Sequence, residues 1–432
     1  MCEWPTRALS ELADIRISNV DKKSAAGEKP VRLCNYMDAY SNDYIRSDIE
    51  FMEATASASE IARFSVAAGD LVLTKDSETP DDIGIPAVVM DQVDDLVCGY
   101  HLALLKTRLE LVDPVYLCKQ LSTSRVAQYF GQRATGSTRY GLPNRALATF
   151  HIPVPPLAVQ RTIARVLQTI DTAIEKTEAL IAKHQQIKAG LMHDLFTRGV
   201  LPNGQLRPPR SEAPELYQET AMGWIPRDWS LHRCADLCTR ICVGIVIQPT
   251  QYYVEEGVPA LRSANVREEG IDPSNFVYIS ASANRQLAKS QLKAGDIVSV
   301  RTGYPGTSAV VPQEFEGANC IDILISTPGE KVRSDYLCDW INSSFGKEQV
   351  LRQQGGMAQQ HFNVGEMREL LVALPDLDEQ SRIREKLEAV THTLAVERAR
   401  LEKFRVQKLG LMQDLLTGRV LVPVDEPEPV HA

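Results

Sequence analysis

No two glycines in the chain stand at G-x-G spacing, which removes the dinucleotide-binding and kinase-type glycine loops. There is no G-x-x-x-x-G-K-[ST] segment, so phosphate-loop ATPases and translocases are excluded as well. Pro-Pro occurs only in VPPLA and RPPRS, and neither is the N/D-P-P-aromatic motif with which amino-methyltransferases hold a target amine. No Glu is followed two residues later by Lys, so the E-x-K half of a common nuclease site is missing. The chain has only 8 histidines in 432 residues; His151, His184 and His361 are isolated, and no H-E-x-x-H pattern occurs. The chain is therefore expected to catalyse nothing, and to carry no metal and no cofactor of its own.

Long apolar runs are missing too. None approaches the ~18 residues of a membrane span, and the opening MCEWPTRALSELADI lacks the basic start and apolar stretch of a signal peptide. A cytoplasmic protein with no membrane partner is expected. The 9 cysteines, an odd number, are scattered in the manner of reduced thiols. Cys234, Cys238 and Cys242 are spaced by four and lack the C-x2-C pairing usual in structural zinc sites.

What is present is said twice. LMHDLFT at 191–197 recurs as LMQDLLT at 411–417. Gln160, Ile163 and Leu167 recur as Gln380, Ile383 and Leu387, Tyr116-Leu117-Cys118 as Tyr336-Leu337-Cys338, and Gly136 as Gly356, all at an offset of 220. A constant offset over this span marks duplication of a domain-plus-helix unit, too long a period for a solenoid. Farther upstream, Gly69-Asp70 aligns with Gly295-Asp296 at an offset of 226, so the globular parts have diverged and taken insertions while the later scaffold has not.

After the prolines of HIPVPP, only Gly190 interrupts a helical pattern from Leu157 to about Thr197. Its apolar stripe is Ile163, Leu167, Ile170, Ile174, Ile181 and Leu191, in alternating steps of four and three, with Thr177, His184 and Lys188 in the remaining slots. The second copy gives Ile383, Leu387, Val390, Leu394, Leu401 and Leu411 in the same phase. That is the seam of a heptad coiled coil, and about 38 residues per helix predicts a rod of roughly 57 Å. The predicted organisation is a first mixed domain over 1–152, a spacer helix over 153–200 and a Pro-rich linker over 201–223. A second mixed domain over 224–374, a second spacer helix over 375–420 and a flexible tail over 421–432 complete it. The fold class is α+β: two similar mixed domains, each followed by a long helix with a coiled-coil seam, in an internal repeat. Within the first domain, strands are expected at DLVL and AVVM and one helix near 114–130.

A net charge of −9 argues against nucleic acid until it is divided by segment. Residues 1–150 hold 16 basic against 21 acidic side chains, and 211–373 hold 14 against 20. Residues 151–210 reverse the balance with 8 against 4, and 374–432 hold 9 against 11. Over 111–150, Lys119, Arg125, Arg133, Arg139 and Arg145 face Asp113 alone. A local basic face suffices for phosphate contact.

The motif P-x-L-x-x-Q-x-x-I-x-x-x-L, followed by a long helix ending L-M-x-D-L-x-T and present twice, resembles the specificity subunits of type I restriction-modification systems. VPALRSANV, KAGDIVSVRTGYPGTSAVV, MGWIPRDWSLHR and VRLCNYMDAYSNDYI resemble them as well. The resemblance implies two target-recognition domains separated by two long helices in an antiparallel coiled coil, an internal pseudo-two-fold repeat. Each domain would read half of a split double-stranded DNA target, with the helices setting the gap. It also implies methylation subunits carrying S-adenosylmethionine and restriction subunits using ATP and Mg as partners. A ~57 Å rod exceeds one DNA turn of roughly 34 Å, and divergent domains imply an asymmetric target.

The candidate readers lie in the stretch before each helix. In GQRATGSTRYGLPNR, Arg133 and Arg139 suit guanine edges or phosphates, Thr138 and Tyr140 phosphates, and Arg145 the backbone. In RQQGGMAQQHFN the equivalents are Gln359, Gln360 and His361, with Gln suited to the adenine edge. Lys75 in the first Gly-Asp loop, and Arg301, Thr302 and Tyr304 in the second, form a further set of candidates. Two other readings remain open: a coiled-coil adaptor that never touches DNA, and a stand-alone DNA-binding regulator. Divergence confined to the globular parts weighs against the first, and the lack of a short helix-turn-helix-like domain against the second.

Overall fold

The computed structural model describes residues 4–352 and 361–423. It contains two compact units, each assembled from separate stretches of chain: residues 1–178 with those from 400 onward, and residues 179–399. Each unit takes part of both long helices.

In the first unit a five-stranded sheet runs in the order Ala13–Ile17, Leu102–Thr107, Leu71–Thr74, Pro86–Val89, Tyr44–Ile45, antiparallel except for the last pair. Leu71–Thr74 and Pro86–Val89 are buried along their whole length. Both faces of the sheet are covered, which is why these strands read as unbroken apolar runs rather than alternation. Leu71, Leu73, Ala103 and Leu105 point into a core with the helices. Val72, Leu102 and Leu104 point the other way, onto the sheet formed by Lys29–Cys34, Met52–Ala56 and Leu96–Cys98. The second unit repeats the plan with strands Cys238–Val243, Ile323–Pro328, Ile297–Val300 and Ser308–Val310.

The Gly-Asp pairs are corner staples. Gly69 and Gly295 have φ of +89° and +86°, where a side chain is strained. Asp70 and Asp296 turn back to accept from the amides of Ala67 and Lys293, at 2.7 and 2.9 Å. One helix was expected near 114–130, but two form: α1, Pro114–Leu121, and α2, Ser124–Gly131. Between them the hydroxyls of Ser122 and Thr123 bond the carbonyls of Cys118 and Gln120, competing with helix continuation.

The long helices are α3, Leu157–Arg198, and α5, Leu377–Leu415. They pack together in antiparallel fashion, as their shares in each unit show. Ile163 and Leu167 of α3 share the first core with Leu415 of α5 and with Leu416 just beyond it. Leu195 and Phe196 of α3 share the second core with Ile383 and Leu387 of α5. Ile163, Leu167, Ile181, Ile383, Leu387, Leu394 and Leu401 are buried, whereas Ile170, Ile174, Leu191, Val390 and Leu411 are half-buried. Asp171, not Ile170, is the fully enclosed side chain at its turn.

The duplicated glutamine explains its own recurrence. Gln160 accepts from the Asp113 amide at 2.8 Å and donates to the carbonyls of Leu111 and Pro155. Gln380 accepts from the Arg333 amide at 2.8 Å and donates to those of Lys331 and Pro375. Each buried amide ties the start of a long helix to the entry of a domain helix, α1 or α4, the latter spanning Ser334–Asn342. Tyr116 and Tyr336 add matching bonds to the carbonyls of Pro153 and Ala373.

Both units also set ion pairs against the helices, buried in the first and half-buried in the second, with different signs. In the first, Lys119 is 1% exposed and meets Asp43 at 2.7 Å and Asp171 at 2.8 Å. Lys408 of α5 meets the same two carboxylates, and Tyr44 donates its hydroxyl to Asp171 at 2.7 Å. In the second, the position of Lys119 is taken by Asp339, paired with Arg384 at 2.9 Å. Burial raises the Asp339 carboxyl, and Arg384 only partly offsets that. The connector after α3 is organised around buried Arg207, whose guanidinium binds Glu379 and Asp228, while Glu379 also accepts from Trp229 and the Val200 amide.

Candidate nucleic-acid interface

The two sets of candidate readers, far apart in sequence, form one corner in each unit. In the first, Tyr140-Gly141 pairs antiparallel with Asp76-Ser77, and the Leu142 amide donates to the Lys75 carbonyl at 2.8 Å. In the second, the Phe362 amide donates to the Arg301 carbonyl at 2.9 Å. The chain segment entering each long helix is thus clamped onto the end of the strand that follows the Gly-Asp staple.

A third segment closes the corner. His101 and Asp322 each immediately precede the next sheet strand, and both have positive φ, +73° and +50°. His101 Nδ1 lies 2.7 Å from Asp76, which also holds Lys75 Nζ at 2.7 Å. In the second unit the carboxylate is Asp322 itself, paired directly with Arg301. One backbone therefore carries Lys-Asp-His in the first unit and Arg-Asp in the second. Lys75 and Arg301 are each neutralised by a neighbouring carboxylate, so neither is a free cation. Sequence reasoning missed His101, Asp76 and Asp322, since nothing in the spacing of 25 between Asp76 and His101 signals their contact.

The remaining candidates surround these corners. Arg139 is exposed and lines a cavity of about 430 Å³ with Tyr36, Tyr40, Asp76, Glu78 and His101. The Tyr36 and Tyr40 rings stack at 5.5 Å. Thr138 is exposed and Tyr140 half-buried on the same loop, where Gly136 has φ of +145° and an added Cβ would strike the Arg139 carbonyl. Arg133 lies 3.7 Å over the Tyr129 ring, and Arg145 is exposed on the short helix that follows the loop. In the second unit Thr302 and Tyr304 line a cavity of about 410 Å³, Tyr304 is 82% exposed, and the Thr302 hydroxyl is 3.1 Å from His361 Nδ1. Gln359 and Gln360 lie outside the described residues.

Among the described residues no group of His, Cys, Asp and Glu is arranged to hold a metal ion. Cys234 and Cys238 approach to 3.7 Å, but Cys242 turns away to the Lys289 carbonyl, so the spacing by four does not gather three thiols. No described helix is long and apolar enough to cross a membrane.

Residues 1–184 match the family model described as the type I restriction modification DNA specificity domain. The type I restriction enzyme MjaVIII specificity subunit of Methanocaldococcus jannaschii is 23% identical over 93% of this chain and 91% of its own length. A second protein of that organism, provisionally named the MjaX type I specificity subunit, is 24% identical over 84% of this chain and 81% of its own. In fold, the chain is similar to the crystal structure of the type I system S subunit from M. genitalium, with a TM-score of 0.57 at 13% identity, covering 95% of this chain and 96% of that one. Over residues 1–184 the chain thus carries the type I restriction modification DNA specificity domain, and along most of its length it is similar to specificity subunits of type I restriction enzymes.

Proposed function

We propose that this subunit is non-catalytic and reads an asymmetric, two-part sequence in double-stranded DNA, each unit supplying one reader. The observation that carries this is the matched corner. The Leu142–Lys75 and Phe362–Arg301 backbone bonds are the same construction, yet the side chains around them differ in charge and size. A shared scaffold with different readers suits two unlike half-sites, whereas identical readers would call for a symmetric target.

Arg139, Thr138 and Tyr140 in the first unit, and Tyr304, Thr302 and His361 in the second, are the side chains with access to a groove. Lys75 and Arg301, already paired, shape the corner more than they attract phosphate. With a net charge of −9, much of the attraction for DNA falls to partner subunits. These are methylation subunits that carry S-adenosylmethionine and restriction subunits that use ATP and Mg, and the complex works in the cytoplasm. Mapping modified bases in genomic DNA with and without this gene tests the reading. A split, non-palindromic motif that disappears with the gene is expected. An unchanged modification pattern would overturn it wherever the methylation subunits are expressed.

A further inference from the structure

We infer that Val246 and Ile247 form an apolar reading tip in the second unit that contacts the methyl group of a thymine in the major groove. This rests on the DNA-reading function proposed above. Ile247 is 75% exposed and Val246 49%, although neighbouring Ile245 is buried. The tip is held firmly at its base. The Ile245 amide donates to the Cys320 carbonyl at 2.8 Å, and the Ile245 carbonyl accepts from the Asp322 amide at 3.0 Å. Gly244 permits this approach, since a Cβ there would lie 2.5 Å from the Cys320 carbonyl oxygen. Gln248, with φ of +41°, turns the chain away after the tip.

Asp322 connects the tip to the reading corner, because its side chain holds Arg301 while its backbone holds Ile245. At the matching place the described residues of the first unit form no such tip. Ser18 matches Gly244, each amide donating to the first residue of the strand beside it, Leu102 or Ile323. Two residues later Val20 is 1% exposed where Val246 is half exposed. Two aliphatic side chains left in water beside an Arg-bearing corner have a defined counterpart in DNA. The thymine 5-methyl is the one apolar group on a base edge in the major groove, and aliphatic contact with it distinguishes T·A from the other pairs.

The test uses the complex assembled with its methylation subunits and duplexes carrying its mapped target. Each thymine of the half-site read by residues 224–374 is replaced singly by deoxyuridine, which removes the methyl and keeps every hydrogen bond. One replacement should weaken binding about fourfold, the worth of one buried methyl. The same replacement should have no effect on the Ile247→Ser protein, which should itself bind the thymine duplex about fourfold less well. A half-site without a T·A pair, or wild-type binding indifferent to every deoxyuridine, would overturn the inference and leave the DNA-reading function standing. Failure to bind any specific duplex would instead remove that function. Loss of complex assembly with Ile247→Ser, at unchanged thermal stability, would show that the tip faces a protein and would also overturn the inference.

Discussion

The Lys119 ammonium lies 2.8 Å from the Asp171 carboxylate, joining the first domain to α3 through a lysine almost wholly out of water. Burial alone would push this lysine's pKa down, but neighbouring groups including Asp43 and Asp171 raise it above its ordinary value. Lys119→Met should leave Asp171 enclosed with one partner fewer and destabilise the first unit by about 3–5 kcal/mol. Lys119→Met with Asp171→Leu should recover much of that loss, because the pair is then replaced by apolar side chains. Urea denaturation of both proteins decides the matter, and a double mutant no more stable than the single would sink it.

Acid should act on the same cluster. Burial works to raise the Asp43 carboxyl, but Lys119 and Lys408 outweigh it and hold it below the usual carboxylate value. A carboxylate lowered in the folded state contributes stability above its unfolded pKa and loses it as pH falls through the folded one. The first unit should therefore weaken progressively below about pH 4. Asp43→Asn should flatten that part of a melting-temperature profile, and an unchanged acid limb would contradict the assignment.

The seam makes a graded prediction. Leu167 is fully buried in the first core, while Ile170 is half-buried next to Asp171. Leu167→Asp should cost several kcal/mol, on the order of the penalty for an unpaired buried charge. Ile170→Asp should cost distinctly less. Circular dichroism melts of the two proteins would rank them, and equal losses would mean that the seam runs through both positions alike.

Arg139→Ala separates base contact from phosphate contact. A lost base contact should cost roughly 1–3 kcal/mol and relax preference at one base pair. A lost phosphate contact should weaken all duplexes and lower the salt slope by about one. Titrating the assembled complex on single-substitution duplexes at two salt concentrations distinguishes them. Indifference in both measurements would remove this loop from the reading surface.

Exchanging residues 1–152 for those of a relative should alter one half of the target and leave the other. The readout is again the map of modified bases, and a change in both halves would refute independent readers.

The sequence by itself determined the duplication and the two long helices, because these depend on local periodicity and on short-range staples such as Gln160 and Gln380; their antiparallel use was implied only by the family resemblance. A repeated P-x-L-x-x-Q marks a helix start whose partners lie within about fifty residues, and the same contacts reappear wherever the motif does. The strands at DLVL and AVVM were legible as short apolar runs between turn residues, and they form as Leu71–Thr74 and Pro86–Val89. Only the tertiary structure decided that Lys75 and Tyr140, or Arg301 and His361, belong to one corner, since strand pairing across sixty residues leaves no periodic trace. It also decided that Asp171 rather than Ile170 turns inward, because the positions are adjacent on the helix and only the lysines brought from α1 and α5 make a buried carboxylate tolerable.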